Sequence, residues 1–166
     1  MEKMPADSVL MAERLRYGYV DCFTVSLARN DVATHELVTA FFSAAPAWVN
    51  WLMTLRNRVV SLFGLKTGER GSFAPPHYIG QQIGVFRILH IDEREVVLGE
   101  DDKHLDFRTS LFLIRHGGNA SLAISSLVNT KNRLGKVYFA LVKPFHRLIV
   151  PIVARGVARQ LDGGRK

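Results

Sequence analysis

Two periods of hydrophobicity divide the chain. In residues 19–28, Val20, Cys22, Thr24 and Ser26 alternate with Asp21, Phe23, Val25 and Leu27, the pattern of a strand with one face more apolar than the other. Four further strand-like runs, 83–91, 96–101, 104–115 and 120–130, follow in close succession. They are separated by Asp92-Glu93-Arg94, Asp102-Lys103 and Gly117-Gly118-Asn119. Connections this short demand antiparallel neighbours, because a parallel crossover takes about a dozen residues or more.

The second period is helical. Over 135–161, Tyr138, Leu141, Val142, Phe145, Leu148, Ile149, Ile152 and Val153 recur at spacings of three and four, which predicts a core-facing stripe. Lys136, Lys143 and Arg147 fall opposite it and are assigned to water. Pro144 and Pro151 also face away from the stripe, so a continuous curved helix is expected. Earlier in the chain, Asn30 and Asp31 offer cap chemistry for a short helix over 34–42. Pro46 opens a second helix over 46–63, with Trp48, Leu52, Leu55, Val59 and Phe63 facing the core, Trp51 and Leu62 beside them, and Gly64 closing it. Residues 66–80, with Pro75-Pro76, read as a long loop holding a short edge strand near 72–74. A weak helical turn is expected within 5–16, through Val9, Leu10 and Leu15.

This order predicts an α+β fold: a curved antiparallel sheet wrapped around a long C-terminal helix, with two short helices after the first strand. Expected boundaries are an N-terminal extension over 1–17, one domain over 18–161, and a disordered basic tail over 162–166. A chain of 166 residues, 48% hydrophobic and 22% charged, suits one such domain. Space between a curved sheet and its helix is often incompletely filled, so a pocket lined by apolar side chains is the expected functional feature.

The single cysteine, Cys22, excludes an internal disulfide framework and reads as a small buried strand residue. The N-terminus lacks the apolar core of a secretory signal, and the run 148–154 is far short of a membrane span, so a cytoplasmic location is expected. Net charge is uneven. Residues 131–166 hold nine Lys or Arg and one acid, or +8, while the rest holds thirteen bases and fourteen acids, or −1. A basic helix face suits the helix dipole and solubility, and it also suits anionic lipid through Lys136, Lys143, Arg147, Arg155 and Arg159.

Particular words carry a resemblance: Tyr19-Val20-Asp21, Phe63-Gly64-Leu65, the run from Gly99 to Arg108, and Pro144-Phe145-His146-Arg147-Leu148-Ile149. With the element order, they make the chain similar to an uncharacterised, mostly bacterial family of unknown function near the SRPBCC, or START-like helix-grip, superfamily. Members of that family also occur fused behind short-chain dehydrogenases. The resemblance runs over about 21–155. It implies a seven-stranded helix grip, of which five strands are evident here, and it implies no agreed activity.

Strand parity places Leu105, Phe107, Thr109, Leu111 and Leu113 on one face and His104, Asp106 and Arg108 on the other. The polar three read either as an outer-face ladder with Glu100 and Asp101 across the hairpin, or as a grip on an anionic group aided by His146 or Arg147. In the second reading Arg108 is the donor and Asp106 orients His104. His146, at the edge of the apolar stripe, reads as a boundary histidine bonded to a loop carbonyl or a hairpin acid, and as the best candidate to face a pocket mouth. The other histidines are scattered without metal-ligand spacing, and no nucleotide, phosphate or nucleophile motif is present, so no metal and no cofactor are expected.

The expected function is binding of a hydrophobic or amphipathic, lipid-like small molecule between sheet and helix. Phe86, Leu105, Phe107, Leu111, Leu113, Tyr138, Val142, Phe145 and Ile149 are the expected walls, and catalysis is left open. The alternative is a protein-interaction module, partnering a dehydrogenase or another enzyme, with a vestigial pocket. Sequence-specific nucleic-acid binding is not expected, and membrane contact is at most peripheral.

Overall fold

Alternating side chains build one antiparallel sheet, β1 (Tyr19–Leu27), β2 (Gln82–Ile83), β3 (Phe86–Ile91), β4 (Glu95–Asp101), β5 (Leu105–His116) and β6 (Asn119–Thr130). The computed structural model describes residues 3–49 and 75–163. Strand order is β1-β6-β5-β4-β3-β2, so the first strand pairs with the last, which on its other side forms the longest ladder with β5. Helix α1 (Thr34–Ser43) and the long helix α2 (Arg133–Gly163) lie on one face of the sheet. This is the α+β helix-grip arrangement that the sequence predicts, with six strands in the described residues.

Several local details differ from the sequence reading. The run 83–91 is two strands, because Gly84 takes φ +60° as the first residue of a two-residue hairpin loop between Ile83 and Phe86. The N-cap of α1 is Ala33, whose N–H donates to the Glu36 side chain; Asp31 instead pairs with Arg29 at 2.9 Å. Trp48 is exposed while its neighbour Val49 is buried. The rest of the expected second helix and the expected edge strand at 72–74 lie outside the described residues.

The packed core sits under the C-terminal half of α2. There Leu111, Leu113, Leu122 and Ile124 of the sheet meet Val153, Val157 and Leu161 of the helix. Gly156 lets α2 approach α1, since a Cβ there would stand 3.0 Å from both the Cβ and the carbonyl oxygen of Ala44. The helix runs unbroken through Pro144 and Pro151. It also continues past the expected boundary at 161, where the Asp162 carboxylate accepts from the Ala28 N–H at 2.9 Å.

The opposite face of the sheet is covered too. Leu10 packs with Val97 and Leu127, joined by Met4, Tyr17, Val20 and Leu89, so the N-terminal segment belongs to the domain. Its anchor is Glu95, a buried acid on the outer face. Glu95 accepts hydrogen bonds from the Ser8 hydroxyl at 2.6 Å, the Val9 N–H at 2.8 Å and the Ser110 hydroxyl. Buried carboxylates are tolerated when donors surround them, and this one fastens the segment to the sheet.

Candidate functional site

Under the N-terminal half of α2 the packing changes. By register Phe107, Val128 and Phe23 point to the same side as Leu111 and Ile124, yet they are only half-buried where the latter are fully enclosed. From the helix Tyr138, Val142 and Ile149 are likewise half-buried, and Phe145 is exposed at the rim. Phe86 joins Phe107 edge-to-face at 5.5 Å and meets Phe41 and Phe42 of α1 at 5.9 and 5.6 Å. These rings pack edge-to-face where α1 meets β3 and β5. Of the other expected walls, Leu105 is buried at the hairpin end, and Leu111 and Leu113 belong to the solid core.

A polar cluster lies between β1 and α2. The Asp21 side chain is buried; the Tyr19 hydroxyl donates to its Oδ2 at 2.6 Å, and His146 Nε2 lies 3.2 Å from Oδ2 and 3.4 Å from Oδ1. Burial by itself would raise the pKa of the Asp21 carboxyl. Hydrogen bonds from His146 and Tyr19, the charge of His146 when protonated, and Ser126 directly across the ladder outweigh it and hold Asp21 below the ordinary aspartate value. Tyr19 is shifted the other way: burial and its bond to Asp21 raise the phenol, with Arg147 opposing.

The Tyr19 ring is itself enclosed. Phe139 meets it edge-on at 5.0 Å, and Lys143 Nζ stands 4.9 Å from its centroid. Lys143 was assigned to water by the helical pattern; the aromatic face of Tyr19 receives it instead. His146 keeps 22% of its side-chain surface exposed while the carboxylate it faces has none. With Nε2 turned to Asp21, Nδ1 is the ring nitrogen left to meet a polar group from elsewhere.

His104, Asp106 and Arg108, read either as an outer-face ladder or as an anionic grip, each take a partner outside the trio, one of them across the hairpin. Asp106 pairs with Lys131 at 2.6 Å, Arg108 with Asp101 at 2.8 Å, and His104 Nδ1 meets the Asn132 side-chain amide. Arg108 also donates to the carbonyls of Phe107 and Glu100 and spreads over Gly99. His104 serves the start of α2: its carbonyl accepts the Lys131 N–H and lies against Gly135, where a side chain would collide. These contacts tie the β4–β5 hairpin to the helix, and Asp106 does not orient His104. Arg147 is exposed beside Tyr19, away from that hairpin ladder.

No sequence motif marks Asp21 as a site residue. Its signal was an acid on the face of the first strand that also carries Phe23, Val25 and Leu27. His146 was singled out, although its partner is this strand acid rather than a loop carbonyl or a hairpin acid. An open groove of about 650 Å³ between the start of α1 and the β3–β4 turn, lined by Asp31, Thr34, Asp92 and Arg115 among others, contains none of the expected walls.

A family model described as protein of unknown function (DUF2867) matches residues 15–153, a span that contains both Asp21 and His146. The chain belongs to the DUF2867 family. No curated protein matches it. Among solved structures, this DUF2867 chain is similar to DynU16, a protein of the dynemicin biosynthetic locus, at 11% identity and TM-score 0.38, over 82% of this chain and 46% of that one. It is also similar to Ara h 8.0201 at 16% identity and TM-score 0.36, over 84% of this chain and 98% of that one. The DUF2867 chain thus spans about half the length of DynU16.

Proposed function

We propose that this DUF2867 protein binds a hydrophobic or amphipathic small molecule between the sheet and the N-terminal half of α2, with His146 meeting a polar group of the ligand. The observation that carries the reading is the contrast in packing along a single sheet face. On one sheet face Leu111, Leu113, Leu122 and Ile124 are fully buried beneath Val153–Leu161, whereas Phe107 and Val128 of the same parity, beside the enclosed Tyr19, Asp21 and Ser126, are only half-buried, as is Val142 of the helix. Apolar surface left half-covered on the concave side of a helix grip gains free energy from an apolar occupant, at roughly 25 cal/mol per Å² removed from water.

The polar contribution is limited and directional. Asp21 fixes the His146 ring, and His146 offers one ring nitrogen beside an apolar wall, an arrangement suited to a hydroxyl-bearing or weakly acidic ligand. The reading is supported by this geometry and by the curved sheet and long C-terminal helix of the chain itself; a reaction is not part of it.

A fluorescence titration with 1-anilinonaphthalene-8-sulfonate tests it. Uptake by the folded protein is expected, and Val142→Trp, which fills the space, should weaken it about tenfold or more, as roughly 1.4 kcal/mol of lost binding requires. Ala140→Trp, on the exposed side of α2, should leave uptake unchanged. Equal uptake by wild type and Val142→Trp would overturn the location, and no uptake by wild type would overturn the function.

A further inference from the structure

We propose that the outward face of the N-terminal half of α2 docks on anionic lipid membranes. The helical period predicts Leu141, Phe145 and Leu148 to face the core. In the structure they are 67%, 49% and 57% exposed, and Val137 is 61% exposed. At 3.6 residues per turn Val137, Leu141 and Leu148 fall in one narrow arc, with Phe145 on its flank, and they span ~16 Å at 1.5 Å per residue. This aliphatic ridge is separate from the half-buried side that holds Val142 and Ile149.

Charge selects the occupant. Arg133, Lys136 and Arg147 are exposed along one edge of the ridge, and Arg155 and Arg159 continue its line toward the C-terminus. Between residues 133 and 161 the chain has no acid. Asp162, the first one reached, is engaged by the Ala28 N–H. A helix face that exposes aliphatic side chains beside bases, free of acids, has the chemistry of an interfacial helix: the ridge enters the acyl boundary and the bases meet lipid phosphates. Nucleic acid would use the bases but leave the aliphatic ridge in water.

The helix lies along such a surface rather than crossing it. By length and hydropathy alone the 31-residue helix is long and apolar enough to span a bilayer. Its C-terminal half, however, is committed to the protein core through Val153, Ala154, Val157, Ala158 and Leu161. The ridge therefore reaches a membrane only side-on.

The test is flotation of the full chain with phosphatidylcholine vesicles, with and without about 30% phosphatidylglycerol, at about 50 mM and about 500 mM salt. Binding is expected only to the anionic vesicles and should fall about tenfold or more at high salt. Leu141→Gln with Leu148→Gln, and separately Lys136→Gln with Arg147→Gln, should each weaken binding about tenfold, while circular-dichroism melting stays within a few degrees of wild type. No binding of wild type to anionic vesicles at low salt overturns the proposal. Binding that the Leu141/Leu148 variant retains in full overturns the role of the ridge. Stronger binding to a short RNA duplex than to the vesicles, insensitive to the ridge variant, replaces lipid by nucleic acid as the occupant.

Discussion

His146 Nε2 lies 3.2 Å from Asp21 Oδ2, joining the first strand of the sheet to the last helix across 125 residues of sequence. Because the folded-state pKa of Asp21 lies below its unfolded value, the ionised carboxylate stabilises the fold. This contribution is fully present above the unfolded aspartate value of about 4 and is lost as pH falls through the lower folded value. Asp21→Asn should lower stability by roughly 1–3 kcal/mol at neutral pH and flatten the acid limb of the stability curve. Urea melts at a series of pH values measure both, and a parallel acid limb in wild type and Asp21→Asn would contradict the assignment.

Glu95 should behave as an anchor for the N-terminal segment. Glu95→Ala removes the acceptor for Ser8, Val9 and Ser110 together. Leaving such donors without a partner costs roughly 1–3 kcal/mol. Limited proteolysis should then cut within residues 3–16 under conditions where the wild-type segment resists, and equal resistance would refute the anchor.

Arg108→Ala separates a scaffold from a ligand contact. Its guanidinium is mostly buried and serves Asp101 and two carbonyls of its own hairpin. Loss of about 1–3 kcal/mol of stability with probe uptake unchanged is expected. Lost uptake at an unchanged melting temperature would restore the reading in which Arg108 grips an anionic ligand.

At Gly156 the test concerns packing. Any added Cβ meets Ala44 at 3.0 Å, against both side chain and backbone. Gly156→Val should destabilise by about 1–3 kcal/mol through overpacking between α1 and α2, despite the better helix propensity of a non-glycine residue. A thermal melt unchanged or raised would show that the two helices separate without cost.

Strand parity was the most legible part of the fold. Alternation from Leu105 to Leu113 placed the apolar set of β5 correctly on the helix side, and the short links fixed every antiparallel neighbour from β3 to β6. The rotation of α2 was not legible for a definite reason. Its N-terminal half carries two apolar faces, Val137, Leu141 and Leu148 outward and Phe139, Val142 and Ile149 inward, and a single period cannot say which meets the sheet. In the structure the buried Asp21 carboxylate meets His146, and the Tyr19 ring meets Lys143, so these side chains face β1. Similarly, Asp106 and Arg108 have suitable chemistry for a shared site, but each finds a nearer structural partner than the other.

Native mass spectrometry of freshly purified protein, with organic extraction of whatever is released, tests the central claim most directly. The expected result is a discrete small-molecule adduct on wild type that Val142→Trp loses and Ala140→Trp keeps. A clean apo mass for wild type, together with no uptake of an added apolar probe, would contradict the proposed pocket.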